Sequence, residues 1–185
     1  VGDLDGDGWL DFVTATTFSP GQPKHISHPR VYMNLGEVNG QWQGFIYDEA
    51  RLPDWGTYPN MCGVAIGDLT GDGFPEIYFS HYEQQAQVDL NDRLLINDGS
   101  GFFGDESSAR MTTAMRGSSF GTSAVIDDLN LDGTNDVISV SGSGATGGLT
   151  RSSVAYNNPN NEGFFNILQE PYSGAPYHVA VGDLN

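Results

Sequence analysis

The sequence predicts an all-β chain made of four-stranded antiparallel units that repeat along the polypeptide. Three observations predict it. An acidic nine-residue loop recurs, each copy sits between two short apolar runs, and two further strand-like segments follow, separated by Asn/Gly turns. The first aspartates of the loops, Asp3, Asp68, Asp128 and Asp183, are 65, 60 and 55 residues apart. That period exceeds most helical solenoid repeats and approaches one blade of a large β-propeller.

The bulk numbers are those of an ordinary folded domain. Over 185 residues, 38% are hydrophobic and 11% aromatic, which argues against disorder despite 25 glycines. The 24 acidic and 7 basic residues give a formal charge of −17, which disfavours nucleic acid or an anionic membrane as a partner and favours cations. Three bound calcium ions would bring the charge to about −11 and relieve self-repulsion. The single cysteine, Cys62, allows no internal disulfide, and its apolar surroundings predict a buried structural thiol. No apolar stretch approaches the ~20 residues of a membrane helix, and no signal peptide is present. The opening Val1–Asp5 returns at Val181–Asn185, from which a longer polypeptide is expected.

The loop Asp3–Asp11 is the fullest copy. Asp3, Asp5 and Asp7, two residues apart, converge only if the backbone curls around a common centre, and Gly8 allows the turn that returns Asp11. Trp9 would add its backbone carbonyl. Such an all-oxygen shell suits calcium and not zinc or copper. The start matches an EF-hand loop, but position 12 is Thr14 where a Glu is needed, and a β-branched run follows where a helix is needed. The loop is therefore expected to join two strands.

First strands are expected at Val64–Ile66, Ala124–Ile126 and Val179–Val181, and second strands at Phe12–Val13, Ile77–Phe79 and Val137–Val140. Third and fourth strands are expected at Arg30–Asn34 and Gly44–Tyr47, Arg93–Asn97 and Gly101–Phe103, and Ser153–Asn157 and Gly163–Ile167. Blades then run over 1–50, with the first strand largely missing, 51–115 and 116–172, and a fourth begins over 173–185. The segment Ser107–Ser119 has the composition of a helical turn.

The D-x-D-x-D-G-x-x-D loop behind an apolar strand, Phe120-Gly121 ahead of Asp128, and the turn Asn97-Asp98-Gly99-Ser100-Gly101-Phe102-Phe103 resemble FG-GAP repeats of integrin alpha propellers and VCBS-type repeats of bacterial extracellular proteins. The resemblance implies a calcium-loaded extracellular or cell-surface propeller used for adhesion, ligand binding or as a scaffold. It implies side-chain ligands Asp3, Asp5, Asp7 and Asp11; Asp68, Thr70, Asp72 and Glu76; and Asp128, Asn130, Asp132 and Asp136. Carbonyls of Trp9, Phe74 and Thr134 would complete the shells, and Asp183 and Asn185 would open a fourth, truncated site. The first loop is the full match and the second departs at Thr70 and Glu76, with Pro75 just before its last ligand, so affinity is expected to fall in the order first, third, second.

Other patterns carry blander readings. Gly117–Gly121 spells G-x-S-x-G, but the Ser precedes a strand, whereas a nucleophile elbow follows one, so no enzyme is predicted. His25 and His28 in a Pro-flanked loop are half a metal site at most and read as solvated; His81 and His178 read as packing or rim residues. Trp42 and Trp55 suit either a core or a sugar platform. Three function classes stand: a scaffold or adhesion module whose partners are its own further blades or further copies joined head-to-tail, a lectin-like glycan binder, or the propeller of a secreted enzyme.

Overall fold

The computed structural model describes residues 1–16, 28–55, 61–82, 91–117, 121–141, 152–169 and 176–184. Strands β1 (Phe12–Thr14), β2 (Arg30–Asn34) and β5 (Phe45–Tyr47) form a three-stranded antiparallel sheet, from which the ribbon β3 (Glu37–Val38) and β4 (Gln41–Trp42) projects. Strands β6 (Met61–Gly67), β7 (Glu76–His81), β8 (Arg93–Asn97) and β9 (Phe103–Asp105) form a second sheet in chain order. A third sheet repeats it with β10 (Gly121–Asp127), β11 (Asp136–Ser141), β12 (Ser153–Asn157) and β13 (Phe165–Gln169). The chain is thus all-β, and its sheets are propeller blades. The register repeats too, since Phe12↔Tyr32, Ile77↔Leu95 and Val137↔Ala155 occupy the same place in the three sheets.

The first blade has only the bridge Gly2↔Asp11 where the others have a first strand. The fourth strands of the second and third blades start two residues later than expected, because Gly101 and Gly163 take φ of 75° and 81° and finish the preceding turn. Val179–Val181 is a correction: residues 176–184 form no strand, and an unpaired strand would leave its backbone groups without partners. The helical composition of Ser107–Ser119 produces two single turns, α1 (Ser107–Arg110) and α2 (Thr113–Arg116), the latter capped by Thr112, whose Oγ1 accepts from the Met115 N–H at 3.1 Å.

Alternation along the strands gives the blades two apolar faces. Ile77, Phe79 and Leu95 pack toward the first blade with Leu4, Val31, Met33, Met61 and Phe103. Tyr78 and Leu94 point the other way, into a core shared with Met115, Val137, Ala155 and Phe165. Inner strands approach closely: a Cβ on Gly63 would meet Ser80 Oγ and lie 2.9 Å from the Ser123 backbone. A larger side chain there would wedge β6 from β10. This packing holds the three acidic loops, each between a first and a second strand, in neighbouring blades.

Candidate metal centre

In each loop the first aspartate curls the backbone. Asp3 Oδ1 accepts from the Gly6 N–H at 2.8 Å and its Oδ2 from the Gly8 N–H at 2.9 Å. Asp68 does the same with Gly71 and Gly73 at 2.7 and 3.0 Å, and Asp128 Oδ2 accepts from Gly133 at 3.0 Å. The fifth residue tightens the exit: Asp7, Asp72 and Asp132 accept from the N–H of Trp9, Phe74 and Thr134 at 2.8, 2.9 and 2.9 Å. Gly8, Gly73 and Gly133 follow at φ near 90°, a conformation that favours glycine. The loops therefore share one backbone trace.

The ninth residue is a buried staple as well as a candidate ligand. Asp11 accepts from the Leu4 N–H and the Asn34 N–H, both at 2.8 Å. Glu76 Oε2 accepts from Leu69 and Thr70 at 2.7 and 3.1 Å, and Asp136 accepts from Leu129 and Asn157 at 3.2 and 2.9 Å. Burial raises the pKa of all three carboxyls, and Glu76 is pushed up to about 7. Burial, with Asp7 beside it, also raises Asp5.

The loops differ in what they leave for a cation. Asp3, Asp5 and Asp11 each offer an oxygen within 4.8 Å of the others, and Asp5 Oδ1 is buried and bonded to nothing. An ion at 2.3–2.6 Å from each donor needs donors no more than about 5 Å apart, so the triad fits a hard cation of calcium size. Among the described residues no other three acidic or thiol or imidazole groups converge so closely. The second loop holds two buried, unbonded oxygens, Thr70 Oγ1 and Glu76 Oε1. The third is closed on itself: Asn130 donates to Asp132 Oδ2 at 3.0 Å and accepts from the Asp132 N–H at 2.9 Å, while Thr134 donates to Asp132 Oδ1 at 2.6 Å. The rings of Trp9 and Phe74 cover Gly36 and Gly99 of their own blades' outer turns, leaving their carbonyls as the groups a shell can use.

Asp183 lies with Val181 and Gly182 in a cleft beside Asp127, Asp128 and Leu131 of the third loop; Asn185 lies outside the described residues, as do His25 and positions 118–120 of the G-x-S-x-G match. His28, expected to be solvated, is buried, and His81 is buried while His178 is exposed. Cys62 is half-buried and not fully enclosed; burial still pushes its thiol up, away from reactivity. Trp55 donates to Asp105 at 2.8 Å and packs on the core, whereas Trp42 is 58% exposed and donates to Asn34 Oδ1 at 2.8 Å.

Two residues went unread in the sequence. Arg51 donates to the carbonyls of Ser100 and Gly101 at 3.0 and 3.1 Å, with its guanidinium 4.6 Å from the Phe102 ring centroid. Arg110 takes the same place over Phe164, also at 4.6 Å. Each pins the next blade's outer turn. The available signal was an Arg shortly after one blade's last strand paired with a Gly-Phe in the next blade's turn.

Residues 3–79 match the model of a family described as FG-GAP-like repeat. The match spans the first two acidic loops, the first sheet, and the strands that flank the second loop, so this stretch is similar to a repeat of that kind, in agreement with its propeller-type sheets. No curated protein matches the chain.

Proposed function

We propose that the chain is a calcium-stabilised extracellular propeller segment of the FG-GAP and VCBS type, serving as a structural or adhesion scaffold and not as an enzyme. The observation that carries this reading is the Asp3, Asp5 and Asp11 triad with its buried, unbonded Asp5 oxygen. Three carboxylates gathered this closely repel one another, and a divalent cation removes that cost. A bound cation supplies charge neutralisation and a fixed centre for the loop. Asp3 then orders the turn, Asp11 ties it to Leu4 and Asn34, and the first sheet keeps its register. Trp9, Phe74 and Thr134 contribute backbone carbonyls, and Thr70 and Glu76 turn their free oxygens inward at the second loop.

The partners we propose are further blades of the polypeptide or further copies joined head-to-tail. Phe12 stacks on Tyr32 at 4.5 Å and meets Phe45 edge-on at 4.8 Å, on the side of the first blade away from the second. Their counterparts Ile77, Leu95 and Phe103 are buried between blades. A lectin-like reading draws on Trp42, held edge-on to Phe45 at 5.4 Å with its ring in solvent.

Thermal melts test the calcium reading. Millimolar calcium should raise Tm by several degrees, magnesium by less, and a chelator should reverse the gain; Asp5→Asn should abolish most of it. A melt indifferent to calcium would sink the proposal. Binding on a glycan array that Trp42→Ala abolishes would move the assignment to the lectin class.

A further inference from the structure

The acidic loops are joined from blade to blade through two buried asparagines. Asn97, at the end of β8, accepts on Oδ1 from the N–H groups of Gly99 and Gly101 at 3.0 and 3.2 Å, which fixes the orientation of its amide. Its NH2 group then faces two carbonyls, Pro75 of its own blade's loop at 3.1 Å and Leu4 of the previous blade's loop at 2.8 Å. Asn157, at the end of β12, repeats this: Oδ1 accepts from Asn158 and Gly163, and Nδ2 donates to Asn135 at 3.0 Å and to Leu69 of the previous loop at 2.8 Å. Every hydrogen-bonding position of both side chains is used.

The residues bridged are those that orient the candidate ligands. Leu4, whose carbonyl Asn97 holds, donates its N–H to Asp11; Pro75, whose carbonyl Asn97 also holds, directly precedes Glu76. Leu69, whose carbonyl Asn157 holds, donates its N–H to Glu76, and the Asn157 N–H donates to Asp136. Hydrogen bonds, with the one peptide link from Pro75 to Glu76, thus run from the first loop's buried carboxylate to the third's. Asn135 adds a direct link, donating to the Asp68 carbonyl at 2.7 Å.

We propose that Asn97 and Asn157 are positioning residues that make cation binding in neighbouring loops positively cooperative. This rests on the calcium reading above. With the first loop ordered around a cation the Leu4 backbone would be fixed, Leu4 would fix the Asn97 amide, and Asn97 would hold Pro75, next to Glu76, before the second loop took its own ion. The ordering cost is then shared between sites, which is a coupling free energy without a large change of shape.

The test is a calcium titration of the 185-residue chain followed by NMR, using Gly8, Gly73 and Gly133 as one reporter per loop. Parent chain and Asp5→Asn are each combined with Asn97→Asp and with Asn97→Ala. The Asp variant keeps the acceptor that caps the turn and loses the donor; the Ala variant loses both without adding charge. Asp5→Asn should weaken binding at Gly73 by roughly fivefold or more in the parent, the lower range of ordinary couplings, and by less than twofold in both Asn97 backgrounds. Equal affinity at Gly73 with and without Asp5 in the parent, or a dependence that survives both Asn97 variants, overturns the proposal. A parent chain whose three glycines ignore calcium overturns the calcium reading first, before any variant is made, and the coupling with it.

Discussion

The first and third loops follow the same backbone path and differ in what their side chains have left to give. In the first, Asp5 keeps a buried oxygen with no partner inside a ring of carboxylates. In the third, Asn130 and Thr134 spend their polar atoms on Asp132, which is held below the ordinary carboxylate range by the Thr134 hydroxyl first and its N–H second. One loop is poised for an ion, and the other satisfies itself. A motif can therefore conserve a turn while changing how much of its stability depends on metal, and what decides is whether its carboxylates converge and keep an oxygen unbonded, not the motif alone.

The largest expected effect tests the part the loops share. Asp11→Ala and Asp136→Ala each strand two backbone N–H groups and should cost about 3 kcal/mol in chelated protein, at ~1–3 kcal/mol per orphaned group. Chemical denaturation measures both. With calcium present the two should part, Asp11→Ala becoming the more damaging because it also removes a ligand; equal costs with calcium would break the comparison.

The second loop sharpens it through pH. Glu76 in the folded, metal-free chain is raised to about 7 from 4.5, so the folded state holds its proton more tightly than the unfolded state. The resulting stability is complete below about pH 4.5 and is lost as pH rises through about 7, an effect on the order of 3 kcal/mol. Denaturation of chelated protein between these limits should show that slope, Glu76→Gln should flatten it, and calcium should offset the loss at neutral pH. A chelated protein that gains stability over this window would contradict the buried, unpartnered Oε1.

Affinity comes next in size. The converging carboxylates put the first loop foremost and the free buried oxygens put the second ahead of the third, where departure from the nine-residue pattern ranked the second last. Titration read at Gly8, Gly73 and Gly133 should find roughly tenfold between first and third, about 1.4 kcal/mol. The reverse order for the second and third would restore closeness to the pattern as the determinant.

Most of the fold was legible because its signals are local. Loop, apolar run and Asn-Gly turn recur at one spacing, and each states its strand without reference to the others. The ribbon β3–β4 was equally legible and was passed over: Asn39-Gly40, at φ of 54° and 78°, is the residue pair that a two-residue hairpin turn favours. What no local reading supplies is use. Asn34, Asn97 and Asn157 stand at one register in three blades and look like turn residues, yet their amides hold carbonyls 24, 93 and 88 residues away. Thr70, a poor ligand by charge, gains importance only because burial leaves its hydroxyl without a competitor. The satisfaction of a polar atom depends on neighbours brought in by packing, so the loops could be located from sequence but not ranked.

The smallest effect isolates backbone strain from metal chemistry. At the fourth position of the loop Gly6 and Gly71 both take φ of 74°, while the third loop places Leu131 there at 59°, with 88% of its surface exposed. A left-handed leucine costs ~1–2 kcal/mol, and its side chain recovers none of that by burial. Leu131→Gly should stabilise the chain by about 1 kcal/mol after the added freedom of the unfolded glycine is counted, a Tm rise of roughly 2–4 °C. Gly6→Leu should do the opposite and more, because a Cβ at that position lies 3.0 Å from the Phe74 ring of the next blade. Measured with calcium and with chelator, the Leu131→Gly gain should be nearly the same, since this loop has little metal to lose. A gain that appears only with calcium would mean that the third loop does bind its ion tightly, with Leu131 holding it back.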